Sequence, residues 1–140
     1  MTEILSATLE LSRRQAVALI FGSISVLYGA QGVFTPISFA RNFGFPILSP
    51  PKTSDQEHLA RSSAFVAATG GRTAALGLAI IVLALEGKTR AAGTVLASCS
   101  ISGLVDTISC YNAGDSGSWI QHAIGTMVLG GLGMWLKNQA

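Results

Sequence analysis

The amino-acid sequence predicts an all-α protein: a four-helix transmembrane bundle with a polar, partly helical loop between its first two helices. Three observations lead there. Apolar residues of the AVILMFWYC set make up 49% of the 140-residue chain and charged residues only 11%, against the ~25% charged of an ordinary soluble domain. The apolar residues gather into segments of ~20 residues, the length that spans ~30 Å of hydrocarbon. These segments are rich in Ala, Ser and the chain's 16 glycines, which let helix backbones approach where apolar contact alone drives little association. The mean hydropathy of +0.51 agrees, and the length fits a single domain over residues 1–140.

The first span is read over residues 15–34. After Arg13 and Arg14, "QAVALIFGSISVLYGAQGVF" carries no charge. A signal peptide, with the arginine pair as its basic region or as a twin-arginine signal, is the competing reading. The apolar run exceeds the ~7–15 residues usual for such a core, and no small-residue cleavage site follows. Residues 35–61 turn polar and carry Pro36, Pro46, Pro50 and Pro51, which rule out one continuous helix. Within them "ISFARNFGF" fits a short interfacial helix, laying Ile37, Phe39, Phe43 and Phe45 against the headgroup boundary. This loop is the segment expected to cover or gate a site.

The second span is read over residues 64–85, and "EGKTR" forms a tight turn into the third, 91–109. "YNAGDSGS" makes the next turn. The fourth span, 119–136, has Trp119 and Trp135 at its ends, as an aromatic belt would place them. Small pairs such as Ser25/Gly29 and Gly71/Ala75, with the series Gly125, Gly130, Gly131 and Gly133, mark the packing surfaces of a compact bundle. A soluble four-helix bundle is the alternative, because core helices of large soluble complexes share this composition. Arg13, Arg14, Lys88, Arg90 and Lys137 flank one side, and Arg41, Lys52 and Arg61 the other. The denser side is the cytoplasmic one, so both termini are expected in the cytoplasm and the chain is expected in the endoplasmic reticulum membrane.

Several classes fall away. The formal charge of +2 is dispersed rather than clustered, so no nucleic-acid footprint exists. Cys99 and Cys110 lie in one apolar segment, ~16 Å apart on a helix, beyond disulfide reach, and read as buried thiols. No haem, flavin or nucleotide motif is visible, so no cofactor is expected; Gly70 and Gly71 follow no strand and precede no Gly-Lys-Ser/Thr. "SDQEH" at 54–58 reads as a solvated loop or helix start.

Arg72 is the anomaly, a guanidinium inside "AATGGRTAALGLAIIVLAL". Under the expected topology it lies ~10–13 Å below the outer face. Asp106, His122 and Gln31 occupy the same half of the bilayer on the other three spans. A lone charge in a span costs ~2.5–3.5 kcal/mol on insertion scales, so Arg72 and Asp106 are expected to pair across the bundle. Gly70 and Gly71 would admit a neighbouring helix, and Tyr28, Gln31 and Thr107 would complete the hydrogen bonds and line a substrate site. The structural alternative is an ion pair that fixes helix order and does nothing else. The functional reading makes His122 the acid/base, Asp106 its orienting partner and Arg72 the stabiliser of developing negative charge. Asp106, Cys110 and His122 as metal ligands form a weaker pattern, since the three are scattered.

With "GGRTAALGLAI", "GLVDTI" and "WIQHAIG", the chain resembles a family of small four-span membrane proteins described only as a domain of unknown function, similar in architecture to the DoxX-like group. Fungal members occur beside polyketide and nonribosomal-peptide assembly genes. The resemblance covers residues ~15–136 and puts the family's arginine, aspartate and histidine on Arg72, Asp106 and His122. The family pattern places Asp directly after that Arg, whereas this chain has Thr73, which gives Asp106 more weight. The resemblance implies a cyclisation or isomerisation factor for an apolar intermediate of fungal specialised metabolism. The expected partners are membrane lipid, an apolar small-molecule substrate, and other small membrane proteins of the same pathway or a second copy of the chain. A non-catalytic scaffold is the alternative, and a minimal transporter is disfavoured by the few polar positions along any one path.

Overall fold

A computed structural model of the chain describes residues 12–44, 56–113 and 117–138. Phe45, Pro46, Pro50, Pro51, Lys52, Ser54 and Asp55 of the expected loop, and the turn residues 114–116, lie outside the described residues. The described residues form five helices and no strand: α1 Arg13–Phe34, α2 Pro36–Phe43, α3 Gln56–Leu85, α4 Thr89–Asn112 and α5 Ser118–Lys137. The second long helix begins eight residues before the expected span, because the polar run ahead of Ala64 continues the helix rather than a loop. Three helical segments, Arg13–Phe34, Ala60–Leu85 and Thr89–Asn112, are long and apolar enough to cross a membrane by length and composition. In α5 the apolar run is diluted by Gln121, His122 and four glycines, and this helix does not reach the same hydropathy.

Local chemistry sets the ends of the elements. Ser12 caps α1: its hydroxyl accepts from the Gln15 amide at 3.2 Å, and Gln15 Oε1 accepts from the Ser12 amide at 3.0 Å. The same Gln15 side chain donates through Nε2 to the Ala84 carbonyl at 3.1 Å, so one residue both starts α1 and satisfies the last turn of α3. The turn after α3 closes with the Lys88 amide on Leu83 O at 2.8 Å and the Gly87 amide on Ala84 O at 3.0 Å. Gly87 sits there at φ 73°, the left-handed conformation that such a helix ending requires.

Two antiparallel pairs make the bundle, α1 against α3 and α4 against α5. Each pair meets through small residues. A Cβ on Gly29 would lie 2.6 Å from the Gly70 carbonyl oxygen, and one on Gly77 would lie 2.6 Å from that of Gly22. In the second pair a Cβ on Gly93 would stand 2.7 Å from the Gly133 carbonyl oxygen, and one on Gly133 would meet the Ala97 backbone. These are backbone-to-backbone approaches of the small-xxx-small kind. Gly71, Gly125 and Gly131, expected as packing positions, face open space instead. The difference is helical phase: at ~100° per residue, Gly70 and Gly77 share a face that Gly71 leaves.

Away from α2, all four long helices converge. Ala18, Ile80, Ala84, Ala92, Leu96 and Leu136 form a buried apolar cluster there. Outward faces remain apolar too, with Phe34, Leu27, Phe65, Ile101 and Met127 all exposed. Helices that are apolar all round suit a membrane interior.

Candidate functional site

At the opposite end α2 packs on α1 and α3, and its last residue, Phe43, reaches Cys110 of α4 and His122 of α5. Pro36 opens this helix at a position where its missing amide costs nothing, and Gly44 closes it at φ 92°. Phe39 and Phe43, four residues apart, share one face. The sequence reading laid that face on the headgroup boundary; the structure turns it inward. Phe39 is 7% exposed and packs edge-on against Tyr28 of α1, with ring centroids 4.9 Å apart. Phe43 stacks 5.4 Å from Phe39 and 4.1 Å from the His122 ring of α5. Burial between four helices removes more aromatic surface from water than an interface would, which explains the inward turn. Ile37, on another face of α2, does stay exposed.

The end of α2 supplies the polar chemistry. A helix C-terminus leaves carbonyls without partners, and a buried one must find donors elsewhere. The Phe43 carbonyl accepts from His122 Nε2 at 3.0 Å and from Cys110 Sγ at 3.5 Å. A carbonyl only accepts, so Nε2 carries the hydrogen, and in the neutral ring the lone pair belongs to Nδ1. Asp106, one turn before Cys110 on α4 and half-buried, interacts electrostatically with His122. The Tyr28 phenol in turn interacts with both Asp106 and Cys110. Carboxyl, imidazole, phenol and thiol, drawn from α1, α4 and α5, thus gather beside α2, the thiol buried, the carboxyl and imidazole half-buried and Tyr28 41% exposed.

The other expected residues divide. Gln31 is half-buried on α1, one turn from Tyr28. Thr107 donates its hydroxyl to the Gly103 carbonyl of its own helix at 2.7 Å and keeps only acceptor capacity for a ligand. Arg72 is not brought to Asp106. It is exposed on the outer side of α3, and no hydrogen bond or ion pair joins the two residues. Depth alone suggested the pairing, but Arg72 lies ~200° around the helix from Gly70, the residue that faces α1. Matching depth without matching phase leaves the two charges on different sides of α3.

Among the described residues no three of His, Cys, Asp and Glu are arranged to hold a metal ion. Sequence reasoning missed Phe39 and Phe43 as site residues. Their four-residue spacing was the available signal, and it was read as a membrane-facing stripe. Cys110 was weighed only as an inert thiol or a metal ligand.

Tightly paired apolar helices, exposed apolar flanks and a polar cluster gathered at one end define a helical protein of membrane type. The chain belongs to the family described as a domain of unknown function (DUF4267), whose model matches residues 22–136. That range holds Tyr28, Gln31, Arg72, Asp106, Thr107 and His122. No curated protein and no solved structure matches the chain.

Proposed function

We propose that the protein is a four-span integral membrane factor, DoxX-like in architecture, that carries out cofactor-free proton transfer on an apolar small molecule. The observation that carries this reading is the gathering of Asp106 and His122 together beside α2, with the Nε2 hydrogen of His122 committed to Phe43. An imidazole held in that way has one free basic nitrogen. A neighbouring carboxylate stabilises the imidazolium formed when that nitrogen takes a proton, and returning the proton to another carbon or oxygen completes an isomerisation or cyclisation. Tyr28 supplies a phenolic hydrogen bond for a carbonyl or enolate oxygen, with Gln31 beside it. Arg72 has no part in this chemistry.

The substrate reaches the cluster laterally from the bilayer, at the α2 end of the bundle. The family resemblance gives its context: a polyketide-derived intermediate of fungal specialised metabolism, handled at the endoplasmic reticulum with both termini cytoplasmic. In this reading α5 is the fourth span, with His122, Thr126 and Gly133 turned to the bundle interior and Gln121 and Gly131 left on its outer face.

A second reading is favoured by the same hydrogen bond. A purely structural histidine would also hold the end of α2, and the protein would then be a non-catalytic scaffold for membrane-bound partners. Pathway output in cells carrying Asp106→Asn or His122→Phe, set against protein level in the membrane, separates the two. Loss of product at unchanged level supports proton transfer. Output retained by both variants overturns it in favour of the scaffold.

A further inference from the structure

We infer that Arg72 is a binding site for the phosphate of a bilayer phospholipid, in the leaflet on the α2 side of the protein. Arg72 is exposed on the outer face of α3, and no hydrogen bond joins it to the neighbouring hydroxyls, which donate within their own helix. Thr69 donates to the Phe65 carbonyl at 3.0 Å, and Thr73 to the Thr69 carbonyl at 3.1 Å. Along the same face Phe65 and Leu76 are 72% and 43% exposed, and Ala68 and Ala75 are exposed between them. The guanidinium therefore shares its helix face with exposed apolar side chains, a surface that would meet lipid in a membrane. A cation on such a surface requires an anion or a route to water.

Depth and direction select the anion. Gly70 is level with Gly32 of α1, since a Cβ on Gly70 would lie 2.9 Å from Gly32 Cα. This puts Arg72 about one helical turn, ~5 Å, below the end of α1 at Phe34. Side chains on a helix tilt toward its N-terminus, and the N-terminus of α3 lies at the α2 end. The arginine stem leans toward the nearer interface and is long enough to bring its charge to the headgroup layer. The planar guanidinium matches two phosphate oxygens at once. Leu76, one turn deeper than Arg72, lies along the acyl chains, and Phe65, ~10 Å toward the α2 end, lies at the headgroup boundary. This role is independent of the proton-transfer reading, since Arg72 and the polar cluster occupy different faces.

The test uses the full chain, purified and placed in nanodiscs of either phosphatidylcholine or a phosphate-free galactosyl diglyceride, with bound lipid counted by native mass spectrometry after release. Wild type should retain phosphatidylcholine, Arg72→Lys should retain it more weakly, and Arg72→Gln should lose about tenfold in affinity, the worth of one charge-assisted contact. Exposure of Arg72 makes Arg72→Gln tolerable to the fold, and its thermal melting in detergent checks this. Equal retention by wild type and Arg72→Gln overturns the inference. So does equal retention of the galactolipid by wild type, which would mean apolar contact only, or release of the wild type as an Arg72-dependent dimer without lipid.

Discussion

The two ends of the bundle are built on different terms. Where α3 turns into α4, four helices close on Ala18, Ile80, Ala84, Ala92, Leu96 and Leu136, all of them apolar and at most 1% exposed. At the other end an eight-residue helix brings two phenylalanines beside a carboxyl, an imidazole, a phenol and a thiol. The first end holds the pairs together through apolar contact alone. The second gathers polar groups that would be costly in the first. A small bundle can keep ionisable groups in its interior when stability is concentrated elsewhere along the same helices.

The seams within each pair carry the largest expected effect. Leucine in place of Gly29 has only Gly70 and Ala74 backbone to meet, and backbone cannot rotate away as a side chain does. Gly29→Leu should cost about 3 kcal/mol or more, the upper part of the overpacking range, and should lower thermal stability in detergent sharply. Gly71→Leu, with nothing within 4 Å of the new Cβ, should be near neutral. Equal losses from the two would mean that α1 and α3 are not joined along this face.

Next comes the dry end. Leu96 is 1% exposed, and Leu96→Ala should cost about 2–4 kcal/mol while leaving hydrogen exchange in α2 unchanged relative to the rest of the chain. His122→Phe tests the polar end. It keeps the ring contact with Phe43 but removes one of the two donors to its carbonyl, for about 1 kcal/mol. Amides of α2 should then exchange faster while those around Leu96 do not. Should exchange rise at both ends together in either variant, the bundle would behave as a single cooperative unit and the contrast between its ends would have no energetic meaning.

How much of this could be read in the sequence follows the same division. The helices were legible because long apolar runs bounded by Arg14, Pro36, Gly87 and the turn after Tyr111 leave few alternatives. The seams were legible in kind but not in member: composition announces small-residue packing, whereas choosing Gly70 over Gly71 requires knowing which face meets α1. The polar cluster was half legible. Arg72, Asp106, His122 and Gln31 stood out as polar residues at similar depth, and depth follows from residue count. The partner of each depends on rotation about the helix axis, which was not fixed until the seams were known. For that reason Arg72 was assigned to Asp106, and the aromatic face of α2 to the headgroups instead of the interior.

The smallest expected effect is also the sharpest test of that correction. If Arg72 and Asp106 met across the bundle, removing either would strand the other charge, and the double variant Arg72→Leu/Asp106→Leu would recover part of the loss. In this structure the guanidinium lies on the outer face of α3, and the carboxyl lies among His122, Tyr28 and Cys110. Two sites with no shared partner should lose stability independently, so the coupling in a double-mutant cycle of thermal stability should stay within about 0.5 kcal/mol of zero. By contrast, Asp106→Leu and His122→Phe should couple by more than that, because each changes what the other is paired with. A coupling above ~1 kcal/mol between Arg72 and Asp106 would place them in contact. It would rotate α3 so that its arginine enters the cluster, and remove the separation between a lipid-facing cation and a half-buried acid/base pair.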